Sequence, residues 1–240
     1  MNDFFNFING LFWIIVIILG ITSIIFLRFF IERVLWFYET IRIDKILFLD
    51  KNIEKYIIKS EKAAKKYIQP ENVISFKLNI SYGYLIQGDV LSAIKYLEDI
   101  NIEKCSSILK GKYYNSLSYY YCLFNDLEKA MVYFSKGEIF INELYKSLNT
   151  SPLPLRTKGY IEMLKGNYIK AENVFLELKE KLVKDSYFKT TININLAKVY
   201  IKTHRYDEAK ILIESILKEK LFPRDIVEVE DLLKYFQEKL

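Results

Sequence analysis

The sequence predicts an all-α chain: an N-terminal transmembrane helix followed by an α-solenoid of stacked helical hairpins. Three observations predict it. The 240 residues include only 8 Gly and 4 Pro, too few for the many tight turns of an all-β protein. A long run near the N-terminus carries no ionisable side chain. Beyond it one short pattern recurs four times at nearly constant spacing, the mark of a repeat architecture.

The apolar run extends from Phe4 to Leu27, and its second part reads LFWIIVIILGITSIIFL from Leu11 onward. As a helix at about 1.5 Å per residue it covers roughly 36 Å, enough to cross a hydrocarbon core of about 30 Å. Its Ile, Leu, Val and Phe side chains between Leu11 and Leu27 favour insertion by roughly 4–8 kcal/mol in total. A cleaved signal peptide would want Lys or Arg ahead of the run and small residues behind it. Only Asn2, Asp3 and Asn6 are polar ahead, and Arg28-Phe29-Phe30-Ile31 follows. Residues 1–30 are therefore expected to remain as a single-pass anchor in the cell membrane, embedded through residues 4–27. Arg28, Arg33, Arg42 and Lys45 follow the span and no basic residue precedes it, so the C-terminal side is expected in the cytoplasm.

Residues 31–49 form an amphipathic segment with Ile31, Val34, Leu35, Tyr38, Ile41 and Ile46 at helical spacing. Trp36, Phe37 and Tyr38 suit the headgroup level. An interfacial helix and a helix packed on the first repeat both fit this pattern.

Residues 50–240 carry the repeat. Four segments align: Gly88-Asp89-Val90-Leu91-Ser92-Ala93, Asn125-Asp126-Leu127-Glu128-Lys129-Ala130, Gly166-Asn167-Tyr168-Ile169-Lys170-Ala171 and His204-Arg205-Tyr206-Asp207-Glu208-Ala209. Their alanines lie 37, 41 and 38 residues apart. An apolar residue follows each alanine at the fourth position: Leu97, Phe134, Phe175 and Ile213. Twelve before each stands a small residue, Ser81, Ser118, Gly159 or Ala197, and nine before stands Tyr84, Tyr121, Glu162 or Tyr200. Small residues suit the close approach of paired helices. Gly, Asn and Asp suit the turn and the following N-cap.

This pattern resembles the tetratricopeptide repeat (TPR) over roughly Ile74 to Lys220, in the manner of a membrane-anchored bacterial TPR protein. The period exceeds the usual ~34 residues, Glu162 replaces the expected Tyr, and no Pro closes the repeats. The added length is expected in longer helices or loops, as at Ser151-Pro152-Leu153-Pro154. At the ends, Asp50 can cap a helix running to Ile68 and stopped by Gln69-Pro70. Pro223 and Asp225 open a last helix ending in Gln237-Glu238-Lys239-Leu240, whose polar residues would close the stack.

The sequence offers little chemistry. Net charge is +5, but the charges interleave in sign as on solvated helix faces, without the basic stripe a nucleic-acid surface needs. Cys105 and Cys122 match no CxxC pattern and read as buried thiols. The single histidine, His204, falls in an inter-helix turn and cannot assemble a metal site or a triad. Neither GxxxxGK[ST] nor GxGxxG is present. No enzyme activity, cofactor, metal or nucleic acid is expected.

The resemblance implies a protein-binding groove lined by the first helix of each hairpin. Eleven residues before each alanine stand Tyr82, Tyr119, Tyr160 and Lys198, and fifteen before stand Leu78, Asn115, Arg156 and Ile194. Tyr82, Tyr119, Tyr160, Asn115, Arg156 and Lys198 are thus the candidate contacts for a protein or peptide partner. The other reading is that these rings only cover neighbouring helices. A membrane-tethered scaffold or adaptor follows. The alternatives are a regulatory subunit of a membrane or envelope-biosynthesis enzyme and, with reversed topology, an extracytoplasmic chaperone.

Overall fold

A computed structural model describes residues 2–147, 152–181 and 186–239; Ser151 of the expected loop and the terminal Leu240 lie outside them. Every regular element among the described residues is an α-helix. The chain divides into two compact units, Met1–Asp44 and Lys45–Leu240.

Helix α1 runs unbroken from Asn2 to Phe48, so the expected anchor and the expected separate helix after it form one element over these residues. No Gly or Pro interrupts it after Gly20. The Thr22 and Ser23 hydroxyls donate back to the Leu19 carbonyl (3.0 and 2.7 Å) instead of competing with the ladder. Its apolar side chains face outward from Leu11 to Ile41. The most apolar window has mean hydropathy 2.8 and none of it is buried. By length and composition α1 is a candidate membrane span.

The second unit is a stack of helical hairpins. After α1, helix α2 (Ile53–Lys66) pairs with α3 (Pro70–Gln87), which also pairs with α4 (Val90–Glu98). Then α5 (Ser107–Leu123) packs on α6 (Leu127–Lys136) and α7 (Glu138–Ser147). The pairs α8 (Pro152–Leu164) with α9 (Tyr168–Lys181) and α10 (Ser186–Lys202) with α11 (Tyr206–Ile216) follow, and α12 (Pro223–Lys239) ends the unit.

The cap of α2 is Asn52, whose side chain accepts from the Lys55 amide at 2.9 Å. Asp50, the expected cap, is held behind it as its amide donates to the Lys45 carbonyl, 3.2 Å away. Helix α2 ends at Lys66 instead of Ile68, and Pro70 opens α3 at its first turn, where a missing N–H costs nothing.

The four aligned segments build four identical turns. Gly88, Asn125, Gly166 and His204 are all left-handed, with φ of 97, 61, 78 and 62°. In each, the next amide donates five residues back: Asp89 to Tyr84, Asp126 to Tyr121, Asn167 to Glu162 and Arg205 to Tyr200, at 2.8–3.0 Å. This is the Schellman closure of a helix end. Asp89 and Asp126 then cap the second helix through the Ser92 and Lys129 amides, both at 2.9 Å.

Ala93, Ala130, Ala171 and Ala209 have no exposed surface. They sit where the paired helices touch. Ser81 and Ser118 donate across this contact to the Ala93 and Ala130 carbonyls (2.9 and 2.8 Å). A Cβ on Gly159 would lie 2.5 Å from the Phe175 ring. Leu97, Phe175 and Ile213 are buried at the following layer, while Phe134 is half-buried. Glu162, where a Tyr was expected, instead accepts from the Asn167 side chain at 2.9 Å.

The long 41-residue interval is filled by α7 more than by a loop. Gly137 ends α6, and α7 resumes at the next residue. Tyr114 stacks on Phe140 (centroids 6.1 Å apart) while Ile141 and Leu144 are buried. Pro152 belongs to α8.

Helix α12 departs most from expectation. It does not simply close the end of the stack, because it lies against α3 and α10 as well as α11.

Candidate functional site

The first helices α3, α5, α8 and α10 carry the row of candidate residues, and the stack brings most of them together. Tyr119 and Tyr160 meet edge to face at 5.4 Å. The Arg156 guanidinium lies 3.8 Å over the Tyr119 ring. Asn115 stands one turn before Tyr119 on α5. Tyr82 is half-buried and packs against the same core.

These side chains are not an open row. Tyr119, Tyr160, Asn115 and Arg156 are 0, 3, 1 and 3% exposed, and the start of α12 reaches into the same cluster. Arg224 donates to the Tyr119 hydroxyl at 3.2 Å. It also pairs with Asp225 at 2.9 Å and Glu228 at 3.3 Å. Lys198 completes the set by pairing with Glu228 at 2.7 Å. The Phe222 ring, 2% exposed, takes the Lys51 ammonium over its face at 3.9 Å. A cavity of about 370 Å³ remains beside α12, lined in part by Val90, Leu123, Met163, Lys198, Arg224 and Glu228.

Three cations, Arg156, Lys198 and Arg224, thus meet two carboxylates, Asp225 and Glu228. Burial pushes the Asp225 carboxyl above its usual range against the opposing pull of Arg224. Burial would also raise Glu228, but Lys198 and Arg224 together outweigh it and hold the carboxyl below its usual range. Burial drives Tyr160 well above the usual phenol range and Tyr120 up to about 12. The Tyr160 hydroxyl is buried without a hydrogen-bond partner among the described residues. Burial also takes the Cys122 thiol up to about 12, far from a reactive thiolate. What the arrangement offers chemically is rings, amides and ion pairs.

Sequence reasoning missed Lys51, Phe222, Arg224 and Glu228, and treated Asp225 only as the start of a capping helix. A signal existed in the spacing of Arg224, Asp225 and Glu228, which share one helical face beside Phe222. Charges at that spacing ordinarily mark the solvated face. Here they mark the buried one.

Residues 54–219 match the SusR N-terminal TPR domain. Among solved structures, a thermophilic TPR protein of Thermus thermophilus superposes with a TM-score of 0.56 at 17% identity, covering 82% of this chain and 96% of its own. That likeness shows the fold alone. A Podosopora anserina structure described as a putative kinesin light chain with nearly identical TPR-like repeats has a TM-score of 0.44 at 14% identity, covering 81% of this chain and 93% of its own, too low to argue from. No curated protein matches the chain.

Proposed function

We propose, since this chain belongs to the family of the SusR N-terminal TPR domain, that it is a membrane-tethered scaffold holding another protein on the concave face of its solenoid. Repeat stacks of this kind serve as extended binding surfaces. The observation that carries the reading is the cluster of Tyr119, Tyr160, Arg156 and Lys198 on successive first helices, which already receives Arg224 and Glu228 of α12. Tyr82 and Asn115 stand on the same set of helices. Tyrosine and arginine supply rigid area with a polar handle, the combination favoured at binding hot spots.

Tethering is supported by the exposed apolar surface of α1, which water does not tolerate at such length. Confinement to a bilayer raises the local concentration of any membrane-bound partner, so modest groove contacts suffice. The test is recovery of partners from membranes in mild detergent, identified by mass spectrometry. Tyr82→Ala and Lys198→Ala, both at half-buried positions, should each reduce recovery of the same protein while leaving helicity intact. Equal recovery by wild type and both variants would place the binding surface elsewhere.

A further inference from the structure

The start of α12 behaves in this structure as a ligand of the solenoid more than as one of its layers. Within each hairpin the paired helices meet through alanine, serine and glycine. The start of α12 is seated differently, by Arg224 on Tyr119, Lys198 on Glu228 and Lys51 on Phe222, while Val229 and Leu232 further along the helix pack into the apolar core of α10 and α11. Ion pairs removed from water give specificity of fit more than they give stability. The fit is also incomplete, since the 370 Å³ cavity persists along Arg224 and Glu228. Residues 217–220, which lead into α12, are all exposed, and Ile226 and Val227 on its outer side are 42 and 57% exposed. A tethered segment need not fit well to remain seated, because linkage gives it an effective concentration on the order of millimolar.

On the reading that the concave face binds a protein, we propose that Phe222–Glu228 stands in for the true ligand: an acidic amphipathic helix of another protein. That helix would present an aromatic residue followed by two carboxylates at the third and sixth positions, matching Phe222, Asp225 and Glu228. The groove accounts for the aromatic ring and the second carboxylate, whereas Asp225 pairs with Arg224 of its own helix. Lys51 faces the aromatic ring, Lys198 takes the second carboxylate, and Arg156 lies over Tyr119 beside them. With α12 lifted out, Arg224 leaves with its two carboxylates. Lys198, Arg156 and Lys51 then lose the negative charge that α12 places beside them. Binding of the partner therefore requires displacement of α12, and the two occupants are mutually exclusive.

The test uses the full chain in detergent, with a site-specific protease sequence replacing exposed residues 218–220. The probe is a fluorescent peptide of residues 221–240. The cut chain should exchange its α12 for the peptide and bind it at least about tenfold more tightly than the uncut chain, whose own segment competes at high effective concentration. Glu228→Gln or Phe222→Ala in the peptide should each weaken binding by about tenfold, the loss of one good contact. Circular dichroism should show the solenoid still helical once α12 has been exchanged away. Unfolding on loss of α12, or failure to exchange it against excess peptide, makes α12 a layer of the core and overturns the proposal. Equal binding by the Glu228→Gln peptide overturns the acidic ligand chemistry. Partner recovery from membranes is read separately, and it can succeed even where this exchange fails.

Discussion

The four residues that turn the hairpins differ in chemistry but share one backbone conformation. Gly88 and Gly166 adopt a left-handed φ freely, and Asn125 tolerates it. His204 at φ 62° has no such ease, and its side-chain hydrogen bond with the Tyr206 hydroxyl, 2.9 Å long, is exposed. His204→Gly should therefore raise stability by about 0.5–1 kcal/mol, and Gly88→Ala should lower it by about as much. Urea unfolding followed by circular dichroism measures both, and a destabilised His204→Gly would mean the ring contact outweighs the backbone strain. The buried contact between paired helices is less forgiving. Gly159→Ala forces a methyl toward Phe175, and Ala130→Leu overfills a site with no exposed surface. Each should cost about 1–3 kcal/mol. Unchanged unfolding midpoints would show that these helices do not touch there.

At the level of elements, the hairpins were legible because local chemistry and packing agree. Asp89 and Asp126 were readable as caps, and the small residues twelve before each alanine were readable as contacts. Legibility failed where a tertiary contact outvoted the local pattern. Gly137 ends α6, yet α7 resumes at once because Tyr114 and α5 offer its apolar face a surface. Asp50 and Asn52 are both good caps, and only the closure of the preceding helix onto Asp50 decides between them. Among the candidate residues, Tyr119, Tyr160, Arg156 and Lys198 recur at fixed spacing from the alanines and lie near one another in the structure. The reach of α12 into them was invisible, since the face that turns inward at its start is the charged one. That face makes α12 sensitive to acid. Asp225 has a raised carboxyl, so the burden of its buried charge is relieved first as pH falls. Glu228 lies below its ordinary value of 4.5, so its contribution is complete above that value and is lost as pH falls through the lowered one. Seating of α12 should thus hold or tighten on mild acidification and weaken only below about 4.5. Cleavage beside Phe222, buried while α12 is seated, by an acid-tolerant protease reports the seating, and Glu228→Gln should remove the loss at low pH. A loss beginning near neutral pH would assign the control to another group.

For the whole molecule, the two units impose separate demands, and the charges beside the apolar run decide how a membrane would satisfy them. Helix α1 has no ionisable residue between Phe4 and Leu27 and no helix break before Phe48. Its uncharged part alone is long enough to cross, so the boundary is set where Arg28 enters the helix, not where the helix ends. Arg28, Arg33, Arg42 and Lys45 all follow that boundary, whereas Glu32 and Glu39 weigh little in topology. The Arg33 guanidinium lies 4.9 Å over the Trp36 ring, a pairing suited to the headgroup layer, where an aromatic face and a cation are both tolerated. We expect the solenoid on the cytoplasmic side. A C-terminal tag should be protected from protease in intact cells or spheroplasts and become cleavable on permeabilisation. Placing three lysines after Met1 while changing Arg28 and Arg33 to Asn should shift a measurable fraction of chains to the opposite orientation. Digestion of the wild-type tag from outside would reverse the topology and put the groove in an extracytoplasmic space. Recovery of a shortened, soluble chain would instead mean that α1 is removed as a signal sequence, and the tether would fall with it.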